Sequence, residues 1–188
     1  MAGIQTSRHR VLCTARLILE PLEVEYAREL YQPLTDPELY RFLPQQPPES
    51  VDELRARFSR LLAPECAARR FTWLARYGGS AIPVGMFQAR LDDECFSLGY
   101  RVFRPWWRMG FATEAVDGIG AHLDDDYGVT ALSAVIDTRN RASIRVAEKL
   151  GFELSGTVPH ADFFEGAWSH QFHYRRGGFA IERGVAGD

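Results

Sequence analysis

The segment Arg104-Pro105-Trp106-Trp107-Arg108-Met109-Gly110-Phe111-Ala112-Thr113-Glu114-Ala115 carries the residue types of an anion cradle. Phe96 to Phe103 reads as a strand running into it. Ala112, Ala115, Val116, Ile119 and Leu123 recur at helical spacing beyond it, so the strand-to-helix junction falls near Gly110. Gly110 and the small Ala112 let a bulky ligand approach the backbone. The unpaired N–H groups and positive dipole end of a first helical turn favour a phosphate there.

A second constellation follows. Leu132-Ser133-Ala134-Val135-Ile136-Asp137 is a short apolar run that reads as a buried strand. Asn140 after it is a good N-cap, and Ile144, Ala147 and Leu150 fit one buried helix face. Gly151 is placed to end that helix in a left-handed conformation. Ser143 stands one turn in from Asn140, where its hydroxyl can donate to a ligand or serve the helix end.

Together these residues resemble the GNAT N-acetyltransferases, and within them the ribosomal-protein N-terminal acetyltransferases and their small-molecule relatives. The resemblance rests on Gly99-Tyr100 in a strand, the Trp107-to-Ala115 turn, Asn140-x-x-Ser143 and Lys149-Leu150-Gly151-Phe152. Thr14-Ala15-Arg16-Leu17-Ile18-Leu19 extends it over residues 14 to 182. It implies an α+β fold, with a central mixed, mostly antiparallel sheet flanked by helices. It also implies acetyl-CoA as co-substrate, with no metal, and an amine acceptor that is a small molecule or a protein N-terminus.

The resemblance assigns roles. Trp107, Arg108, Met109, Gly110, Phe111, Ala112 and Thr113 would hold the coenzyme A pyrophosphate through backbone N–H groups. Leu98, Gly99, Tyr100, Arg101 and Val102 would pair their backbone with the pantetheine arm and acetyl carbonyl, as an added strand does. Asn140 and Ser143 match positions near the pantetheine and sulfur, with Ser143 closest to the departing thiolate. Many family members place a tyrosine where this chain has Ala147, and the ribosomal-protein branch shares its absence. Gly166-Ala167-Trp168-Ser169-His170 resembles a Gly-x-Trp-x-Asp segment of that branch, and an imidazole at His170 could accept the amine proton. With no cysteine in these motifs, transfer would be direct, in a ternary complex. One departure stands out: where the family often has Gly-Lys-Gly or Gly-Arg-Gly, this chain reads Arg108-Met109-Gly110. Losing the first glycine should restrict access to positive φ, and the basic residue would have to be Arg108 or Arg104. The altered turn leaves a second reading, a non-catalytic module of the same fold that binds acyl-CoA or a peptide.

These residues need a scaffold, and the chain is long enough for one. At 188 residues it fits a single domain over 14–182, with a loose leader over 1–13 and a tail over 183–188. A net charge of -3 with near-equal acids and bases argues against a nucleic-acid partner. Three widely spaced cysteines make neither a metal-ligand pair nor a disulfide framework, which fits a reducing compartment. No apolar h-region opens the chain and no apolar run approaches spanning length, so a cytoplasmic protein without membrane contact is expected. The family also makes a homodimer plausible.

Before the first motif, Arg16 to Pro21 reads as a strand and Glu23 to Leu34 as a helix. Asp36-Pro37 starts a short helix, and Ser50-Val51-Asp52-Glu53 is a capping box ahead of Leu54, Phe58, Leu61 and Leu62. Strands are expected over Phe71 to Tyr77, Pro83 to Leu91 and Cys95 to Phe103. Two more, Glu153 to Val158 and Phe172 to Ile181, would flank an acceptor loop over 157–170 that holds His160, Asp162 and Glu165. Asp124-Asp125-Asp126 reads as a solvated helix end.

Overall fold

A computed structural model of the chain describes residues 10–177, apart from 68, 69, 79, 93, 94, 130 and 165. Eight strands form one sheet: β1 (Leu12–Cys13), β2 (Leu17–Pro21), β3 (Arg70–Tyr77), β4 (Pro83–Asp92), β5 (Cys95–Val102), β6 (Leu132–Asp137), β7 (Glu153–Phe164) and β8 (Ala167–Arg176). The helices are α1 (Ala27–Leu34), α2 (Val51–Leu61), α3 (Pro64–Ala67), α4 (Phe111–Tyr127) and α5 (Arg141–Lys149). Strand order is β1-β2-β3-β4-β5-β6-β8-β7. Every neighbouring pair is antiparallel except β5 and β6. This is the mostly antiparallel α+β sheet that the resemblance implies.

Alternation along the strands divides the core between the two faces of the sheet. Phe71 and Trp73 of β3, with Phe96 and Leu98 of β5, face α4 and α5 and pack with Phe111, Ile119 and Ile144. Leu74 and Met86 face the other way and pack with Leu30 and Leu34 of α1 and Leu54 and Phe58 of α2. Because both faces are covered, β3 is buried continuously from Phe71 to Ala75, as a central strand must be. At Gly85 of β4 a Cβ atom would collide with the Arg101 carbonyl of β5. Only glycine lets the two strands close at that point.

The caps follow the local signals. Asp36 Oδ1 accepts from Glu38 N at 3.0 Å, and Asn140 Oδ1 accepts from Ser143 N at 3.1 Å. Ser50 Oγ accepts from Glu53 N at 3.1 Å, but the returning Glu53 carboxylate takes Glu49 N, one residue before the cap. Gly151 closes α5 with a φ of 74°.

Three expectations change. The end of the leader is not loose: Leu12 and Cys13 pair with Leu19 and Ile18, and Arg10 O accepts from the Trp73 indole at 3.1 Å. The rest of the leader, Ile181 and the 183–188 tail lie outside the described residues. The acceptor loop is instead a long β7–β8 hairpin. Thr157 pairs with Phe172 and Asp162 with Ser169, and an irregularity between Val158 and Asp162 gives His160 a φ of 53°. The expected strand from Glu153 to Val158 runs on to Phe164, because pairing with β8 carries it past Pro159. Asp124 and Asp125 are exposed as the solvated helix end expected, but Asp126 is not, since Arg10 Nε pairs with it at 2.9 Å and His122 Nδ1 lies 3.1 Å away.

Candidate active site

β5 and β6 share only two register pairs, Phe96 with Leu132 and Ser97 with Ser133. Beyond Ser97 the strands part, because β6 stays in register with β8 along its whole length, from Leu132↔Arg176 to Asp137↔Gln171. The edge of β5 from Leu98 to Val102 is left without a strand partner. A cleft of about 680 Å³ opens there and passes from one face of the sheet to the other.

The α4 end of the cleft holds the turn that the sequence marks as a candidate anion cradle. Gly110 caps α4 with φ 81°, and the first bond within the helix is Glu114 N to Gly110 O at 3.1 Å. The N–H groups of Phe111, Ala112 and Thr113 precede that bond and lie in the cleft wall. Trp107 Nε1 donates to Val102 O at 2.6 Å and Trp106 Nε1 to Pro83 O at 3.0 Å, tying the turn to the sheet. Arg108 holds φ 64°, so the left-handed conformation survives without the glycine. Arg16 braces this turn. Its Nη1 donates to Met109 O at 3.0 Å, and its guanidinium carbon sits 4.4 Å from the centre of the Phe111 ring.

The second wall comes from α5 and its approach. Asp137 is buried and accepts from Arg139 Nη2 and Ser169 Oγ, each at 2.7 Å. Burial pushes its carboxyl up, but the hydrogen bonds from Arg139 and Ser169 outweigh that and hold it below the usual range. It is a fixed anion that shapes the turn delivering Asn140. Asn140 spends its side-chain carbonyl on the Ser143 N–H, which leaves its amide N–H groups as donors. Ser143 lines the cleft, and across from it Tyr100 presents a buried hydroxyl with no hydrogen-bond partner. Burial raises the Tyr100 pKa, and the nearby Ser143 hydroxyl only partly opposes this, so the phenol stays protonated.

Most sequence-derived candidates converge here. Leu98, Gly99, Tyr100, Arg101, Val102, Trp107, Arg108, Gly110, Phe111, Ala112, Thr113, Asn140 and Ser143 all line the cleft. Met109 does not; it is 47% exposed and contributes its carbonyl to Arg16. His170 does not line it either. Its Nδ1 accepts from His160 N at 3.3 Å, and the two rings lie 4.9 Å apart. Asp162 does line the cleft, with its Oδ2 accepting from Gln171 Nε2 at 2.9 Å. Sequence reasoning missed the segment from Glu38 to Pro44, which covers the face of the cleft away from α4. No local signal in that segment points to a site, because its place depends on how the α1–α2 connection folds over β5. Among the described residues, no group of three or more His, Cys, Asp or Glu side chains could hold a metal, and no helix is long and apolar enough to cross a membrane.

Comparison with known proteins agrees with this geometry. The model of the acetyltransferase (GNAT) domain matches residues 16–153. The chain is 30% identical over 156 residues to the uncharacterized N-acetyltransferase p20 of Bacillus licheniformis, across 78% of this chain and 84% of that protein. Its fold is similar to that of a Salmonella typhimurium acetyl transferase that modifies the N-terminal serine of 50S ribosomal subunit protein L7/L12. The TM-score is 0.80 at 16% identity, over 90% of this chain and 100% of the other. RimL, the ribosomal L7/L12 alpha-N-protein acetyltransferase, solved in complex with coenzyme A, superposes at a TM-score of 0.78 and 17% identity, over 89% and 98% of the two chains. The open β5 edge, the cradle at Gly110 and the matched length all fall within one frame, and this chain is a member of the GNAT acetyltransferase family and an N-acyltransferase.

Proposed function

We propose that the chain transfers an acetyl group from acetyl-CoA directly to a primary amine, a small molecule or a protein N-terminus. The observation that carries this is the placement of Ser143 and the orphaned Tyr100 hydroxyl beside an unpaired strand edge leading to the Gly110 cradle. The fit is chemical. The cradle supplies N–H groups for a pyrophosphate, the β5 edge supplies backbone partners for an amide-bearing arm, and Tyr100 has a donor to spare. The solved RimL complex with coenzyme A supports the same choice of co-substrate.

Acetyl-CoA, when bound, brings an acetyl thioester. The backbone of Leu98 to Tyr100 polarises the carbonyl, and Ser143 Oγ donates its proton towards the departing sulfur. Tyr100, kept neutral by burial, stands beside it as a second donor. An ammonium with a pKa near ~10 must lose a proton before it can attack. Asp162 is the carboxylate in the cleft wall suited to take it, and His170 would have to act through a relay. A homodimer belongs to the same proposal and is tested by light scattering in solution.

The decisive experiment is the melting temperature with and without acetyl-CoA, followed by thiol release across an amine panel. At one hundred times the dissociation constant, binding adds ~2.7 kcal/mol, or roughly 5–11 °C for a chain of this size. A saturable rise with thiol release supports the reading. Binding without release from any amine would favour the non-catalytic module, and no rise at millimolar ligand would dispose of the acetyltransferase reading and of an acyl-CoA-binding module.

A further inference from the structure

Arg101 occupies an unusual position for a cation. Phe96, Leu98, Tyr100 and Val102 of β5 face the α4 layer, so alternation turns Arg101 to the opposite face, in register with Met86 of the α1–α2 core. There its guanidinium carbon lies 5.2 Å from the centre of the Tyr40 ring, and Nη2 donates to Gln45 Oε1. The Nε group is buried with no partner, and no carboxylate among the described residues pairs with this side chain. Tyr40 supplies no charge, because its hydroxyl donates to Leu34 O at 3.0 Å.

Other partly buried arginines are compensated, except Arg70, whose Nε also lacks a partner but which stands at the start of β3, outside the cleft. Arg76 pairs with Glu20 and Glu29, Arg139 with Asp137, and Arg57 with Glu53. Arg57, a like charge that acts on Arg101, is occupied by Glu53 and by the carbonyls of Gln46 and Pro47. Burying an unpaired cation is strongly unfavourable unless something else satisfies it. Arg101 lines the cleft on the face away from the Gly110 cradle, the side that the acetyl-transfer reading leaves to the second substrate. A guanidinium fork with a free Nε–H matches a planar carboxylate or a phosphate.

We propose that Arg101 anchors an anionic group on the acceptor, so that the acceptor is an amine that also carries a carboxylate or a phosphate. This deepens the acetyl-transfer reading and rests on it. Asp162, in the wall of the same cleft, provides the opposite charge for the amine end. A cation for the acid and a carboxylate for the ammonium together favour a zwitterionic molecule such as an amino acid. A neutral-bodied amine would leave Arg101 unpaired.

The test measures thiol release from acetyl-CoA with matched acceptors: L-amino acids against their carboxamides, and phosphoethanolamine against ethanolamine. The wild type should prefer the acid of a matched pair by about 10- to 100-fold in kcat/KM, the range expected for a charge-assisted pair. In Arg101→Gln that ratio should fall to near one, while the melting-temperature rise with acetyl-CoA persists and shows that the variant is folded. The first pair winning identifies a carboxylate acceptor and the second a phosphate. Equal use of acid and neutral partner, or an unchanged ratio in Arg101→Gln, overturns the anchor and leaves the acetyltransferase reading standing. Release with neutral amines alone does the same. Loss of the acetyl-CoA shift in wild type would instead strike the underlying reading.

Discussion

Arg16 Nε donates to Glu114 Oε2 at 2.6 Å, joining the start of β2 to the first turn of α4. Glu114 Oε1 also accepts from Arg16 N at 2.7 Å and from Thr14 Oγ1 at 2.6 Å. Burial pushes the Glu114 carboxyl up, but these hydrogen bonds overcome it and keep the acid ionised. A carboxylate in the first turn would otherwise repel a bound pyrophosphate. Arg16 neutralises it and, through Met109 O, fixes the turn that would receive the phosphates.

Removing that brace should show in both binding and stability. The Arg16 side chain is 43% exposed, so its ion pair is partly screened, and Arg16→Ala is expected to cost about 1 kcal/mol, or roughly 2–4 °C in melting temperature. The apparent affinity for acetyl-CoA should drop about fivefold or more, because Glu114 is left uncompensated beside the cradle. Calorimetric titration checks this. An unchanged dissociation constant with a lowered melting temperature would confine Arg16 to the fold.

Ser143 and Tyr100, both in the cleft wall, give two substitutions, one read in turnover and the other in stability. Ser143→Ala should lower kcat by about 100-fold with little change in the KM for acetyl-CoA, since a donor to the leaving group acts mainly in the transition state. Tyr100→Phe deletes a buried hydroxyl that has no partner, so the free protein should gain roughly 1 kcal/mol and melt higher. If the two hydroxyls serve one sulfur, the double variant should lose less activity than the two single losses combined. Steady-state kinetics and calorimetry on all three variants decide it.

Local signals carried most of the cleft walls built by α4 and α5. Asn140, Ser143 and Gly151 lie within one short helix whose cap and terminator are written in residue type, and Gly110 marks a backbone turn. The missing pieces are non-local. Arg101 is one residue from Tyr100 in sequence, yet its setting depends on Tyr40 and Gln45, brought over β5 by the α1–α2 connection. His170 carried a local motif, but the hairpin register turns it towards His160 and puts Asp162 in the cleft instead. The β7–β8 pairing that decides this spans the irregularity at His160, which no short window encodes.

His122 predicts a pH dependence. It is buried in α4, edge-on to Trp73 and Tyr127. Burial lowers its pKa below the ordinary 6.5, and Asp126 opposes this only in part. A histidine whose pKa is lower folded than unfolded contributes stability above the unfolded value and loses it as the pH falls through the folded one. The melting temperature should therefore decline as the pH drops below 6.5, before the depressed carboxylates Glu114 and Asp137 begin to protonate. In His122→Phe, which keeps an aromatic ring in the site, the slope between about pH 5 and 7 should flatten. An identical slope in the two proteins would assign the acid sensitivity elsewhere.

Arg108 separates backbone strain from charge in the cradle. A non-glycine residue at φ 64° carries roughly 1–2 kcal/mol of steric cost, and glycine there would relieve it. The extra freedom that glycine gives the unfolded chain takes back about 0.4–1 kcal/mol. Arg108→Gly should therefore leave the free protein as stable as the wild type or raise its melting temperature by roughly 1–4 °C. Acetyl-CoA binding tests the other half. If the guanidinium serves the phosphates, the same variant should bind more weakly, with a shallower dependence on salt, because one screened attraction is gone. Arg108→Lys restores the charge and keeps the strain, and should recover the affinity without the added stability. Tighter binding in Arg108→Gly would instead mean that the arginine is tolerated at a cost, and that the cradle works through its backbone alone.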